Sequence, residues 1–289
     1  MRIPQLQNSQ STVMTIDIED WFQVENLKPV ITRDSWDTHE LRVVRNTEQM
    51  MQILDEQNIR CTFFVLGWVA EKVPTLIRNI ANAGHEIASH GYGHELIYRL
   101  SGKDFRRDVE RSKYLLEDLT GRQVRGYRAP SFSITDWAIP ILQDLGFSYD
   151  SSMFAAMAHD RYGKLSNADI NKSISELRPG FVEVSVSCMR WGPYRLPWGG
   201  GGYFRLIPYP IFKFGIGQIL ASGNPYVFYL HPWEIDPDQP RIGGLTHSHR
   251  FRHYVNLGKC KSRWQTLLGD FKWCPIESLL TFDNEFARA

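Results

Sequence analysis

Two histidines separated by three residues are the first sign of chemistry in this sequence. His90 and His94 lie in the segment Ser-His-Gly-Tyr-Gly-His at residues 89–94. Histidines four positions apart on a turn place their Cβ atoms roughly 5–6 Å apart, so both imidazoles can reach one divalent ion. Gly91 and Gly93 disfavour a regular helix, because a glycine costs about 1 kcal/mol relative to alanine in a helix interior. We therefore expect a two-histidine metal clamp on a loop that follows a short strand.

Ionisable residues also stand where other predicted strands end. They are Asp17, Glu19, Asp20, Arg128, Asp150 and His231. Each has an ordinary explanation by itself, such as a helix cap for Asp17 or a hydrogen-bonded core histidine for His231. Together with the two histidines they provide a two-imidazole, one-carboxylate metal site, a spare carboxylate, a guanidinium and a further imidazole. These are the groups that metal-assisted hydrolysis requires.

Strands and helices alternate along most of the chain and must position these groups. Strands are predicted at residues 13–16, 61–66, 86–89, 124–128, 147–150, 182–186 and 225–230. Helices are predicted after a cap at Asn46 or Thr47, over residues 74–83, from Ser101 to Thr120, and from Thr135 or Asp136 to Gly146. Alternation of this kind predicts parallel strands joined by crossover helices, in a layered α/β sheet or a barrel, with the chemistry at the carboxyl ends of the strands.

The rest of the chain shows no repeat, low-complexity segment or linker, so residues 1–289 are predicted to form a single domain. Residues 151–176 are polar and are predicted to be an irregular insertion. The tail from about Thr246 is expected to form loops and two helices packed on the barrel.

Composition excludes a general attraction to nucleic acid or to an anionic membrane. The chain has 33 Lys and Arg against 32 Asp and Glu, a formal net charge of +1. This balance gives no field that would attract a polyanion. The four cysteines, Cys61, Cys188, Cys260 and Cys274, have no CxxC spacing, which favours reduced thiols and a reducing compartment.

The sequence shows no apolar signal-peptide core near its start and no apolar run of about 18 residues, the length that a membrane span needs. We therefore expect a cytoplasmic protein without a transmembrane segment. Peripheral attachment to a membrane stays open.

Four glycines between aromatic residues form a second candidate site, at residues 195–205. This run lacks the lysine and the Ser or Thr of a phosphate loop, which argues against a nucleotide site. We predict a backbone bend that admits a ligand against Trp198, Tyr203 and Phe204. Aromatic side chains in such a place favour stacking on a sugar.

The residues named so far fall into ordered motifs that resemble those of the metal-dependent polysaccharide deacetylases. The motifs occupy residues 15–20, 89–94, 126–132, 149–152 and 229–234. Residues 196–205 and 250–254 resemble the C-terminal extension of a subfamily found in bacterial exopolysaccharide loci. The resemblance covers most of the chain. It implies a distorted (β/α) barrel of seven strands, with a C-terminal extension from about residue 190 packed on it.

The resemblance also implies an activity, the removal of N-acetyl groups from an amino-sugar polysaccharide or its precursor. A divalent metal, with zinc preferred, is implied on His90, His94 and one carboxylate. Asp17 would act as the base, with Arg128 orienting it. His231 would protonate the leaving amine, with Asp150 orienting it. The residues assigned to substrate binding are Pro130, Trp198, Tyr203 and Trp233.

The first motif departs from the family pattern and leaves the metal carboxylate open. The family's commonest form has two adjacent aspartates, a base and then a ligand, whereas Ile18 and Glu19 separate Asp17 from Asp20 here. Strand parity places Asp17 and Glu19 on one face. Residue type favours Asp20, to which we give a slight preference over Glu19.

Two further motifs also depart from the pattern. Ser131 and Phe132 follow Pro130 in place of an aromatic-glycine pair, and no tryptophan follows the motif at residues 149–152. Trp137 or Trp233 is expected to supply the missing aromatic wall.

Two other functions compete with deacetylation of a polysaccharide. The same barrel could serve a metal-dependent amidohydrolase that acts on a small cyclic amide. A catalytically inactive carbohydrate-binding protein is the alternative outside the enzymes, although the presence of both a candidate base and a candidate acid argues against it.

Overall fold

The computed structural model describes residues 11–154 and 163–280. The strands are β1 Thr12–Ile18, β2 Thr62–Val65, β3 Glu86–Ser89, β4 Gly126–Tyr127, β5 Tyr149–Asp150, β6 Ile174–Arg178, β7 Phe181–Val184, β8 Cys188–Trp191, β9 Tyr194–Pro197, β10 Tyr226–Leu230 and β11 Trp273–Cys274. The α-helices are α1 Val43–Glu56, α2 Gly67–Lys72, α3 Pro74–Asn82, α4 Gly102–Thr120, α5 Ala138–Asp144, α6 Gly201–Leu206, α7 Tyr209–Ala221, α8 His247–Tyr254 and α9 Leu257–Asp270.

Within the described residues, seven strands form a parallel ladder in the order β10, β1, β2, β3, β4, β5 and β7. Strand β6 runs antiparallel to β7, and β11 lies beside β1. The curled sheet is joined across its ends: the backbone N–H of Ser187, just after β7, donates to the Val227 carbonyl of β10 at 3.3 Å. The predicted α/β fold, a distorted (β/α) barrel of seven strands, is confirmed.

Alternation along the strands sends every second side chain into the barrel. Val13, Phe64, Tyr149 and Val184 pack together inside, whereas neighbours on the other face, such as Met14, join the larger core beneath the helices. Because β1 alternates in this way, Asp17 shares the inward face with Val13 and lies at the carboxyl end of the strand.

The amino end of the barrel is closed by the last described residues of the chain. The backbone N–H of Ile276 donates to Thr62 Oγ1 at 2.8 Å, and that of Glu277 donates to Glu86 Oε2 at 3.0 Å. Tyr149 Oη also donates to Glu86, at 2.6 Å. Burial raises the pKa of the Glu86 carboxyl to about 7. The carboxyl end of the barrel is therefore the end that remains available for a site.

Helix α1 begins earlier than the sequence predicted. It starts at Val43, so Asn46 and Thr47 lie inside it and do not cap it. The cap comes instead from Asp20, whose Oδ2 accepts from the backbone N–H groups of Arg42 and Val43 at 2.7 and 2.9 Å. A cap supplied by a residue distant in sequence leaves no local signal. Part of the predicted insertion, residues 155–162, lies outside the described residues. No helix among those described is long and apolar enough to span a bilayer.

Acid should destabilise this fold through His85. Burial lowers the pKa of its imidazole to about 4, below the usual value near 6.5. The unfolded chain therefore binds the proton first, and the stability that the neutral ring provides above pH 6.5 is lost as the pH falls toward 4. Each pH unit in that window costs up to about 1.4 kcal/mol. In urea unfolding of metal-free protein, His85→Gln should reduce the loss of stability between pH 7 and pH 5 by about 1–2 kcal/mol. An unchanged pH slope would contradict this assignment.

Candidate active site

Three buried side chains form a cluster with the spacing of a metal site at the carboxyl end of the barrel. Glu19, His90 and His94 each offer one ligand atom, and these atoms lie within 4.8 Å of one another. Glu19 Oε2 lies 2.7 Å from His94 Nε2, yet it is buried and makes no hydrogen bond to the described residues. A buried carboxylate oxygen without a hydrogen bond is costly unless a cation satisfies it. Two imidazoles and one carboxylate are suitable donors for a divalent ion such as zinc.

The neighbours of the two histidines hold them in place. His90 Nδ1 lies 2.9 Å from the Arg128 carbonyl, which leaves Nε2 for a metal, the usual arrangement for a metal-binding histidine. The loop between the histidines is held by Asp108 of α4, which accepts from the N–H groups of Tyr92 at 2.7 Å and Gly93 at 2.9 Å. Sequence reasoning missed Asp108, because nothing local marks a surface-helix carboxylate as the support of a distant loop.

Charge and burial prepare these groups for a cation. Burial raises the pKa of the Glu19 carboxyl, but His94 and His231 outweigh it and lower that pKa to about 2. Burial lowers the pKa of His90 to about 4. At neutral pH the cluster therefore offers an ionised carboxylate and a neutral imidazole at His90, the protonation states that metal ligands require.

Asp20 does not belong to this cluster, so the slight preference for it is wrong. Its Oδ1 accepts from the Trp21 N–H at 2.8 Å, and its Oδ2 holds the first turn of α1. Both oxygens are committed to backbone donors. Glu19, two residues beyond Asp17 on the same inward face, occupies the position that strand parity indicated.

Asp17 is held by Arg128, as the sequence analysis expected. The Nη1 of Arg128 donates to Asp17 Oδ1 at 2.6 Å, and both side chains are buried. The other guanidinium contacts include Thr15 Oγ1 and Ser151, so Arg128 is fully engaged within the barrel. Because Oδ1 is occupied, Oδ2 is the oxygen of Asp17 that remains to accept a proton.

His231 lies on the other side of Asp17, but Asp150 does not orient it. Its Nε2 is 3.9 Å from Asp17 Oδ2 and 3.1 Å from Glu19 Oε1. Its Nδ1 is 2.8 Å from Glu234 Oε1, a residue that sequence reasoning did not single out. Burial lowers the pKa of His231, but Glu19, Glu234 and Asp17 outweigh it and raise that pKa to about 9.

The predicted role of Asp150 is wrong because its carboxylate faces away from the site. Its Oδ1 accepts from Ser152 Oγ at 2.6 Å, and its close neighbour is the Glu183 carboxyl on the adjacent strand. Burial raises the pKa of Glu183 well above the usual range. Because Tyr149 points into the barrel, the next residue on β5 must point outward.

A pocket of about 440 Å³ opens above these groups. Barrel loops supply one side of it, and the C-terminal part of the chain supplies the other. The lining residues include Asp17, Glu19, His90, His94, Phe132, Tyr203, Tyr229, His231, Trp233, Phe251 and Arg252. Sequence reasoning did not find Phe251 and Arg252 as pocket residues, although their segment was recognised as part of the extension.

Backbone strain is concentrated at this pocket. In the described chain, five residues other than glycine have a positive φ, and three of them, His94, Ser131 and Phe132, line the pocket. Such residues cost on the order of 1–3 kcal/mol each and are typical of functional sites. Ser131 and Phe132, which replace the family's aromatic-glycine pair, thus bend the loop that follows Pro130 toward the pocket.

The glycine run approaches the barrel, and Trp198 does not face a ligand. A Cβ on Gly200 would lie 2.0 Å from the Tyr229 carbonyl of β10. Trp198 is buried and stacks on Phe212 at 5.5 Å, with its Nε1 donating to the Phe212 carbonyl at 2.8 Å. The prediction that Trp198 and Phe204 contact a ligand is therefore wrong, since both belong to the core.

Of the other residues predicted to bind substrate, some line the pocket and others do not. Tyr203 and Trp233 line the pocket. Pro130 is buried beside it, while the residues that follow, Ser131 and Phe132, line it. Trp137 packs edge-on against Phe105 at 5.5 Å, away from the pocket. Of the two candidates for the missing aromatic wall, Trp233 is therefore the one at the site.

Substitution of two aromatic residues from the glycine run should separate binding from packing. Tyr203→Ala should raise KM for a polymeric substrate more than it lowers kcat, because binding contacts are removed equally from ground and transition states. Trp198→Ala should lower the free energy of unfolding by about 3–5 kcal/mol and leave KM of the folded protein unchanged. Steady-state kinetics and urea unfolding measure the two effects.

Tyr194→Ala is the matched control, because Tyr194 is 61% exposed at the tip of the β8–β9 hairpin. It should change neither quantity. A Tyr203→Ala protein with normal KM would contradict a binding role for that residue.

Comparisons with known proteins agree with this geometry. Residues 30–149 match the family model described as Polysaccharide deacetylase. Residues 151–281 match a second model, described as a domain of unknown function, DUF3473. The boundary between the two matches falls just after β5, so both matched regions contribute strands to the ladder and walls to the pocket.

The individual relatives match only part of this chain. The chain is 28% identical over 120 residues to a peptidoglycan-N-acetylglucosamine deacetylase of Bacillus cereus, covering 36% of this chain and 44% of that protein. It is 30% identical over 105 residues to a peptidoglycan deacetylase of Helicobacter pylori, covering 36% of each. The chain thus spans less than half the length of these curated relatives. A solved structure of a candidate polysaccharide deacetylase from Mycobacterium smegmatis shares the fold, with a TM-score of 0.58, 22% identity and 97% of each chain covered.

Proposed function

We propose that this chain, whose residues 30–149 match the polysaccharide deacetylase family, is a metal-dependent hydrolase that removes N-acetyl groups from an amino-sugar polysaccharide or its precursor. The observation that carries the proposal is the meeting of three features in one pocket: the Glu19–His90–His94 cluster, the Arg128-held carboxylate of Asp17, and the imidazole of His231. A base and an acid on either side of a metal site are what amide hydrolysis requires.

The metal would be held by Glu19, His90 and His94. When bound, a divalent ion, with zinc preferred, supplies Lewis acidity for the acetamide carbonyl and for water. The buried Glu19 oxygen without a hydrogen bond supports this choice of ligands.

Asp17 takes the proton of the attacking water on its Oδ2, because Arg128 occupies Oδ1. His231 gives a proton from Nε2 to the leaving nitrogen. That step is needed because an amide anion is a poor leaving group and the tetrahedral intermediate would otherwise collapse backwards. A pKa of about 9 keeps His231 protonated, and so ready to act as an acid, at neutral pH.

The substrate would be a carbohydrate chain that carries N-acetyl groups. Tyr203 and Trp233 on the pocket wall, and Phe251, which is 56% exposed there, offer apolar faces of the kind that stack on sugar rings. The name of the B. cereus relative, a peptidoglycan-N-acetylglucosamine deacetylase, supports an N-acetylglucosamine-type substrate. The motifs at residues 196–205 and 250–254 support a role in exopolysaccharide biosynthesis.

Two further proposals concern the chain as a whole. We treat it as one structural unit with a C-terminal extension from about residue 190, since β10, from the second matched region, pairs with β1 over Thr12–Ile16. We place it in a reducing compartment, the cytoplasm, because its four cysteines have no CxxC spacing and form no disulfide among the described residues.

Metal analysis of the purified protein, combined with acetate release from a panel of N-acetylated glycans and small cyclic amides, tests the proposal. We expect one divalent ion per chain and acetate release from a glycan. Turnover of a cyclic amide alone would favour the small-amide alternative, and glycan binding without acetate release would favour an inactive binding protein.

A further inference from the structure

We infer that Glu234 and Arg205 position the catalytic imidazole: Glu234 fixes the orientation and tautomer of His231, and Arg205 fixes Glu234. The inference rests on the proposed function, in which His231 is the acid. It assigns a task to two residues from the C-terminal part of the chain, one of them at the end of the glycine run.

Glu234 holds His231 at two points. Its Oε1 accepts from the ring Nδ1 at 2.8 Å and from the backbone N–H of His231 at 3.2 Å. An Nδ1–H that donates to a carboxylate leaves the proton to be transferred on Nε2, which faces Asp17 and Glu19. Glu234 follows His231 by three residues in the turn Pro232–Ile235, so a short local segment sets both the ring and its partner.

Arg205 makes the buried charge of Glu234 tolerable. Its Nε donates to Glu234 Oε2 at 2.7 Å, and both side chains are almost fully buried. A buried carboxylate without a cation is strongly disfavoured, and a paired one is held rigidly. Burial raises the pKa of Glu234, but the Arg205 and His231 charges outweigh it and lower that pKa. Each oxygen of the carboxylate thus has its own partner.

The rest of the Arg205 guanidinium is anchored to the backbone of the pocket wall. Its Nη1 donates to the carbonyls of His253 at 2.9 Å and Val255 at 2.7 Å, and its Nη2 donates to that of Arg252 at 3.0 Å. These carbonyls lie at the end of α8. Arg205 therefore ties the orientation of His231 to the segment that carries Phe251 and Arg252 into the pocket.

Stacked rings restrain the plane of the His231 imidazole. Trp233 stacks on His231 with centroids 5.3 Å apart and on His253 at 4.6 Å. His253 is held in turn by Gln239, whose Oε1 lies 2.7 Å from its Nε2. With Glu234 fixing rotation of the ring and the stack fixing its tilt, Nε2 has one direction in which to point.

The decisive test is Glu234→Gln in the metal-loaded protein. We expect kcat for an N-acetylated glycan to fall by roughly 10–10³-fold, which is less than the whole contribution of a general acid, roughly 10²–10⁴-fold, with little change in KM and no loss of metal. An acetanilide with an electron-withdrawing ring, whose amine leaves with less need of a proton, should be spared much of that loss. Long-range ¹H–¹⁵N NMR should show protonated Nδ1 of His231 in the parent protein and an altered signal in the variant.

Glu86→Gln is the matched control. Glu86 is a buried glutamate with hydrogen-bond partners of its own, but it lies at the opposite end of the barrel. Its substitution should leave the ratio of glycan to anilide turnover unchanged. Arg205→Lys keeps the charge but loses the forked donors of the guanidinium. It should shift the ratio of glycan to anilide turnover in the same direction as Glu234→Gln, but by less. This variant replaces Glu234→Gln as the test if the glutamine variant does not fold.

Equal losses on glycan and anilide, or an unchanged His231 signal, would reduce Glu234 to a packing role and overturn the inference. The proposed function has a separate test in His231→Ala. If that variant keeps full activity on the glycan, the acid assignment itself fails. If it loses activity while Glu234→Gln and Arg205→Lys match the parent protein, only the positioning inference fails.

Discussion

Asp17→Asn should lower kcat for acetate release by roughly 10²–10⁴-fold while the protein keeps its fold and its metal. The amide retains an acceptor for Arg128 but cannot take the proton of the attacking water. The metal should remain because the three proposed ligands, Glu19, His90 and His94, are untouched. Steady-state kinetics on an N-acetylated glycan, together with metal analysis of the same sample, measure both quantities.

Asp150→Asn is the matched control for this experiment. The sequence placed Asp150 in the catalytic set, but the structure turns its carboxylate toward Ser152 and Glu183. We expect kcat to stay within a few-fold of the parent value, since a substitution that removes no contact with the transition state leaves kcat intact. A deep loss at Asp150 with a mild one at Asp17 would reverse the assignments. Loss of metal from Asp17→Asn would mean that Asp17 is a ligand.

Glu19→Ala should weaken metal binding by roughly 10-fold or more, and Asp20→Ala should not. Glu19 supplies the only carboxylate that the described residues bring to the histidine cluster. The oxygens of Asp20 are occupied by backbone N–H groups, so its loss should act on stability instead. We expect Asp20→Ala to lower the free energy of unfolding by about 1–3 kcal/mol, because buried donors at the start of α1 lose their acceptor. Competition with a metal-binding dye measures the first effect and urea unfolding the second.

His90→Ala and His94→Ala provide the internal reference for Glu19→Ala, since either should lower metal affinity at least as much. A full complement of tightly bound metal in the double histidine variant would contradict the site. If Asp20→Ala, and not Glu19→Ala, releases the metal, the buried cap of α1 would have to rearrange on metal binding.

The sequence by itself determined the architecture and pointed to most of the groups that meet in the candidate site. Apolar strands alternating with capped helices can bury their faces only as a layered parallel sheet, because crossover helices must pack on it. Since parallel strands end at one edge, Asp17, His90 and His231 had to meet there. Strand parity already pointed to Glu19 rather than Asp20, because side chains two apart on a strand share a face.

Only the tertiary structure decided which other residues contact these groups and which point away from the site. Asp150 points away because one step along β5 reverses the direction of the side chain, and a strand that is buried on both faces gives no pattern to reveal which residue faces in. Glu234 and Arg205 become partners across 29 residues through burial of a charge pair, which has no sequence period. Trp198 was read as a ligand platform because an aromatic residue beside glycines looks the same whether it faces a pocket or a core. The packing of α7 against it, which depends on the whole fold, made it core.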